Sequence, residues 1–281
     1  MKLQTFVMAA TMMCSVACVN AGHKRTLPLA FLTMDGIHAD GSGAFFAADG
    51  FDGDRVYAIT PEGTTSVLAG GLAGPIDVTN DSAGNLYVTN FNNATVSKVS
   101  PEGVVSDFAT VLTGPSGITI DSSGNLYVSH FGAGNGDGDT VLKVSPDGST
   151  SVFSQGGLLN APVGTAIDKE GNIYTANFND GIVLKILPDG TQLQIAQIDA
   201  PNGFAIGHLA YANGRLFATG LADQVIYVIR PNGRVRVRRN APEGDFPNGI
   251  TFDSATNQIL FTNAFAPVSG FERIRLRNRR Y

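Results

Sequence analysis

The sequence predicts an all-β chain, a six-bladed β-propeller with four antiparallel strands per blade, the ring closed by an N-terminal strand that completes the last blade. Three observations predict it. A phrase of about 40 residues returns six times, which is a blade period. Each complete copy holds four short alternating or β-branched runs. Gly, Asn, Asp and Pro punctuate those runs at the positions where tight turns need them. A single sheet cannot bury both of its faces, so neighbouring units stack around an axis and share a core.

The bulk numbers agree. The chain has 281 residues, 43% hydrophobic and 15% charged, with 34 Gly and a net charge of −5. Apolar content near the globular norm and a modest net charge exclude disorder. Five Glu against 19 Asp, with few charges overall, exclude long Glu- and Lys-rich helices as the main architecture.

Taken in order, Met1-Lys2 gives a positive start, Phe6 to Ala17 an apolar and small-residue run, and Val19-Asn20-Ala21 a small-residue cleavage site. Residues 1–21 therefore read as a secretory signal peptide, and the mature chain is expected to start near Gly22, secreted or periplasmic. The run is too short for a transmembrane helix. Both cysteines, Cys14 and Cys18, fall inside it, so no disulfide or Cys-based metal site is expected in the mature chain. Ser15-Val16-Ala17-Cys18 also resembles a lipoprotein cleavage box, with Ser where Leu is usual; lipidation at Cys18 is the minor alternative.

Residues 22–281 form the single propeller, with blades starting near 35, 74, 114, 161, 201 and 247. The second copy reads Gly74-Pro75-Ile76-Asp77-Val78, Asp81 to Val88, then Val96 to Gly103; the third repeats it from Gly114 through Asp121 to Gly148. A further copy runs from Pro162 to Gly190. Weaker ones start at Asp35-Gly36-Ile37, Pro201-Asn202-Gly203 and Pro247-Asn248-Gly249. The last copy stops after a third strand, Arg273 to Arg277. Leu27 to Leu32 is expected to supply the fourth and cover the open edge.

Pro-x-Gly-Ile, Gly-Asn-Leu-Tyr-Val and Val-x-Lys-Val-x-Pro-Asp-Gly resemble the NHL repeat across nearly the whole mature chain. They also resemble the six-bladed gluconolactonase and senescence-marker-protein superfamily. That resemblance implies the propeller fold but not one function, because these superfamilies hold lactonases, lyases, synthases and non-catalytic binders.

In such blades two sets of loops meet on one face of the ring. The first offers Asp35, Ile76, Ser116, Val163, Asn202 and Asn248; the second offers Asp49, Asn90, His130, Asn177, Gly220 and Ala264, with Asn263 beside it. Asp49, Asn90, Ser116, Asn177 and Asn263 are the candidate ligand contacts at the channel mouth. Asp35, Asn202 and Asn248 come from blades that adjoin once the ring closes. A carboxylate and two amides form an oxygen-donor set for a divalent metal, Ca²⁺ foremost, with Mg²⁺ or Zn²⁺ as other candidates. The family resemblance implies a metal held there by Asn-Gly, Asp-Gly and a Glu, and the Glu has no counterpart in this chain. Plain turn chemistry is the competing reading of Asn-Gly and Asp-Gly. The fifth repeat has about four extra residues, so His208 is the candidate to replace a displaced Asn202.

His38, His130 and His208 are the acid/base candidates together with Asp35, against the alternative of hydrogen-bonded structural histidines. His23 lies in the expected N-terminal tail. No Ser-x-x-Lys, Gly-x-Ser-x-Gly or His-Glu-x-x-His occurs, which leaves serine hydrolases and zincins without support.

Ten of the 13 Arg lie from Arg230 onward, with Arg234, Arg236 and Arg238 on one strand face and Arg273, Arg275 and Arg277 on another. They read as a solvated, charge-protected outer edge, or as a flank for a polyanion or glycan. Two functions follow: a secreted metal-dependent hydrolase of a small lactone or ester at the channel mouth, or a non-catalytic propeller binding a ligand, glycan or protein. The chain is expected to be a monomer, with no nucleic acid as its physiological partner.

Overall fold

A computed structural model describes residues 34–199, 206–240, 246–264 and 271–276. These residues form strands and no helix. They build five four-stranded antiparallel sheets and one of three strands, each in chain order from the axis outward. The expected signal segment, Leu27 to Leu32, Asn202 and the last Arg residues lie outside the described residues.

The inner strands are Ile37–Ala39, Pro75–Asn80, Pro115–Ile120, Pro162–Ile167, Leu209–Ala212 and Phe246–Asp253. Each packs on the next, and the last packs on the first, so the ring is closed. Burial falls outward within each blade. Leu86–Asn90 is buried throughout, whereas Val105–Thr110 at the rim turns Ser106, Asp107 and Thr110 to solvent. The core is a set of layers between blades: Leu260 of blade six, for instance, packs with Ile37, Phe45 and Ile59 of blade one.

The recurring Asp-x-x-Gly-Asn-Leu-Tyr phrase has a local cause. Asp81 Oδ1 accepts the Ala83 and Asn85 N–H groups at 2.9 Å, and Asp81 Oδ2 accepts Asn85 Nδ2 at 2.8 Å and Tyr87 Oη at 3.2 Å. Asp121 repeats the pattern, as does Asp168. One carboxylate thus satisfies the donors of the tight turn and fixes the second strand's first aromatic.

The Pro-x-Gly phrase turns out to be a β-bulge. In blade two Pro75 faces Asn90 and Val78 faces Val88, so Ile76 and Asp77 together oppose Thr89. Blades three and six repeat this at Ser116-Gly117 and Asn248-Gly249. A bulge frees a backbone N–H and re-aims a side chain. Here the opposing hydroxyl takes up the freed donor. Thr89 Oγ1 accepts the Asp77 N–H at 3.0 Å, Ser129 Oγ that of Gly117 at 2.9 Å, and Thr262 Oγ1 that of Gly249 at 2.8 Å. Three such hydroxyls then donate across to the next blade: Thr89 to the Ser116 carbonyl, Thr219 to that of Asn248, and Thr262 to that of Asp35. The last of these joins blade six to blade one.

Two boundaries move. The third strand of blade six runs Phe271–Arg275, two residues earlier than expected. Blade five starts its inner strand at Leu209, and His208 stands just before it opposite Thr219, whose hydroxyl accepts the His208 N–H as Thr89 accepts that of Asp77.

Candidate functional site

The glycines of the bulge phrase are there for space. Gly36, Gly117 and Gly249 lack the positive φ of turn glycines. A Cβ on Gly36 would lie 2.3 Å from Asp77 Oδ1, one on Gly117 2.4 Å from the Thr165 nitrogen, and one on Gly249 2.1 Å from the Asp35 carbonyl oxygen. Neighbouring inner strands approach so closely at the axis that only a hydrogen fits. The turn reading of Asp35-Gly36 and Asn248-Gly249 is therefore corrected to close packing.

Two blades break the glycine rule. Asp77 in blade two and His208 in blade five occupy that position, and they stand on opposite sides of a six-membered ring. Their side chains meet on the axis. His208 Nδ1 lies 3.4 Å from Asp77 Oδ2, and His208 Nε2 lies 2.9 Å from Asp35 Oδ1. Asn248 Nδ2 also donates to Asp35 Oδ1, at 2.9 Å. Asp77 is further fixed by the N–H groups of Val78 at 2.9 Å and Ile118 at 3.1 Å.

Nε2 is hydrogen-bonded to Asp35 and Nδ1 stands at ion-pair distance from Asp77, so a carboxylate on each side of the ring favours the imidazolium. Burial pulls its pKa down, but the Asp77 charge and the hydrogen bonds to Asp35 and Asp77 raise it to about 10. An imidazolium has no lone pair to accept a proton, so His208 is not a general base near neutral pH. Asp35 stays open on one side. Its side chain is 20% exposed, and its Oδ2 has no partner among the described residues.

Below this cluster the axis holds a cavity of about 170 Å³ lined by His38, Asp77, Thr79, Thr165, Tyr211 and Thr251, among others. His38 bonds Asn80 Oδ1 at 2.6 Å, and burial lowers its pKa against the opposing influence of Asn80, Asp77 and Asp40. The Thr165 hydroxyl is buried with no hydrogen-bond partner among the described residues.

The second-strand residues do other work. Asn90 Oδ1 accepts the Ala73 N–H at 3.3 Å, Asn177 Oδ1 accepts that of Asn160 at 3.1 Å, and His130 Nε2 accepts that of Leu112 at 3.1 Å. All three pin the loop that leads into their own blade, so Asn90 and Asn177, expected as mouth contacts, and His130, expected as an acid/base, are loop anchors instead. Burial lowers the His130 pKa to about 4, which fits an acceptor imidazole. Asp49 lies against its own loop, within 3.5 Å of Tyr57 Oη. Ser116 and Asn263 are buried, and the Ser116 carbonyl accepts from Thr89.

The expected metal set does not assemble as drawn. Asn202 lies outside the described residues, and Asn248 turns its nitrogen to Asp35 while its oxygen faces Gly207. The space between the carboxylates holds the His208 ring, and among the described residues no cluster of three His, Cys, Asp or Glu suits a metal ion. The residues present do not fit a divalent cation.

Asp77 was missed by sequence reasoning. Its signal was an Asp where sister copies carry Gly, one place beyond the position judged to face the mouth.

No protein-family model and no curated protein matches the chain. Solved structures do. A gluconolactonase from Xanthomonas campestris is 17% identical, with a TM-score of 0.72 over 88% of this chain and 87% of that one. The calcium-binding protein regucalcin from Agrobacterium tumefaciens is 15% identical, with a TM-score of 0.72 over 87% of each. This chain has their fold. A catalytically inactive histidine-to-alanine variant of virginiamycin B lyase from Staphylococcus aureus, solved with quinupristin, is 14% identical, with a TM-score of 0.65 over 89% and 87%. Such identities establish the six-bladed propeller and leave the chemistry to the site.

Proposed function

We propose that this propeller is a hydrolase of small lactones or esters that works at the axial mouth. The observation that carries the reading is Asp35, fixed through Oδ1 by an imidazolium and an amide, with Oδ2 open and the side chain 20% exposed. A water beside Oδ2 gives up its proton to Asp35 as its oxygen adds to the substrate carbonyl. Negative charge thereby moves from the carboxylate to the carbonyl oxygen. The His208 imidazolium stays fixed beside Asp35 throughout, so its charge offsets that of the carboxylate and of an adduct formed next to it without reorganisation. Collapse of the adduct expels the alkoxide, which takes the proton back from Asp35. The gluconolactonase neighbours support this substrate class by fold analogy alone.

The test is initial rates on a panel of γ- and δ-lactones and aryl esters. Asp35→Asn should lower kcat by about 100-fold or more; a variant within twofold of the parent refutes the assignment. The placement of the His208 ring between two carboxylates favours a second reading, a non-catalytic ligand binder, and this takes over if the parent turns over nothing on the panel. We also infer export directed by residues 1–21, which N-terminal sequencing of secreted protein checks against a start at Gly22.

A further inference from the structure

The gluconolactonase-like architecture carries an expectation of a divalent ion at the mouth, and one neighbour is described as calcium-binding. In this chain the space is taken. We propose that the His208 side chain is a built-in cation that substitutes for a metal ion, so that the parent protein binds no divalent metal at its axis, and removal of the ring converts the same place into a Ca²⁺ site.

Four observations carry it. Asp77 and His208 are the two side chains sent inward at a position where Gly36, Gly117 and Gly249 leave room, and Gly36 cannot even hold a Cβ against Asp77. The ring bridges two carboxylates, at 2.9 Å to Asp35 and 3.4 Å to Asp77, as a cation with two ligands would. Both nitrogens are turned to carboxylates and not to open space: Nε2 is hydrogen-bonded to Asp35 and Nδ1 stands at ion-pair distance from Asp77. Asn248 turns its nitrogen toward Asp35, the orientation suited to a carboxylate already paired with a proton donor; a metal would require its oxygen. One imidazolium against two carboxylates leaves a net charge of −1 at the cluster. Removing the ring leaves −2 and one amide within reach, which is an oxygen set for Ca²⁺.

The buried pair geometry explains why the arrangement persists. A buried carboxylate without a partner is costly, and a metal site and an imidazolium are two ways to compensate it. The imidazolium is covalently tethered, so its occupancy does not depend on ion concentration. The proposal concerns the cation and not the reaction, so it stands or falls apart from the hydrolase reading.

Three measurements test it on the full mature chain. Elemental analysis of the purified parent should find far less than one equivalent of divalent metal, and its Tm in millimolar Ca²⁺ should match that in chelator to within about 1 °C. Nitrogen-correlated NMR should show two ring N–H protons for His208, both absent in His208→Ala. His208→Ala in millimolar Ca²⁺ should melt roughly 5 °C higher than in chelator, and the gain should vanish in His208→Ala/Asp77→Asn. Stoichiometric metal in the parent that Asp35→Asn removes overturns the proposal. So does a neutral His208 tautomer, or a folded His208→Ala that ignores Ca²⁺. If His208→Ala folds neither with nor without Ca²⁺, the metal content and ring protons of the parent decide alone.

Discussion

His130 makes the acid limit of this protein's stability calculable. Its Nε2 accepts the Leu112 N–H, so the folded chain needs the neutral ring, and burial lowers its pKa to about 4. In the unfolded chain the ordinary value is about 6.5. A depressed folded pKa means that the unfolded state binds more protons between these limits. Stability is then complete above about pH 6.5 and lost as pH falls toward about 4. At about pH 5 the unfolded ring is almost fully protonated and the folded one is not, which corresponds to about 2 kcal/mol against pH 8. For a chain of this size that is roughly 4–8 °C in Tm. Asn90 and Asn177 hold the same post in sister blades without a titratable group. His130→Asn should therefore fold normally near neutrality and lose that much less Tm on acidification. Thermal melts by circular dichroism across the range, parent beside variant, measure the difference directly; His38 titrates in both and cancels. Parallel curves, with less than about 1 °C between the two acid-induced shifts, would refute the assignment of His130 as an acceptor anchor.

Thr219 ties the His208 N–H to the Asn248 carbonyl, so Thr219→Val removes two hydrogen bonds at a blade junction and should cost about 1–3 kcal/mol by urea denaturation; a loss near zero would mean that packing alone joins blades five and six. Deleting residues 22–33 should lower Tm markedly if that segment completes the three-stranded sixth blade, and an unchanged Tm sinks the closure model. Arg234, Arg236 and Arg238 are exposed on the outer strand of blade five, and like charge from Arg234 and Arg230 lowers the Arg236 pKa. A heparin column should retain the parent more strongly than an Arg234/Arg236/Arg275 charge-reversed variant, with steep salt dependence; equal elution marks the flank as merely solvated.

The repeats were legible because they are specified locally. Strand alternation and the Asp81-type turn act within one hairpin, and the Pro-x-Gly phrase recurs at a fixed place in each blade, so short-range periodicity reports them faithfully. Asp35 and Asn248 came out as neighbours because ring closure follows from the repeat count, and they are hydrogen-bonded. What the residues at the axis do was not legible. A bulge places two residues opposite one, so a shift of a single position decides which side chain faces the axis, and Asp77 rather than Ile76 takes that place. In blade five, Pro201-Asn202-Gly203 has the letters of the phrase, but the hydroxyl of Thr219 sets the register at His208. His208 and Asp35 are 173 residues apart and belong to no common local pattern. Only the closed ring brings them within hydrogen-bond distance, and only there do two carboxylates, acting against burial, turn a histidine that looked like a base into a fixed cation.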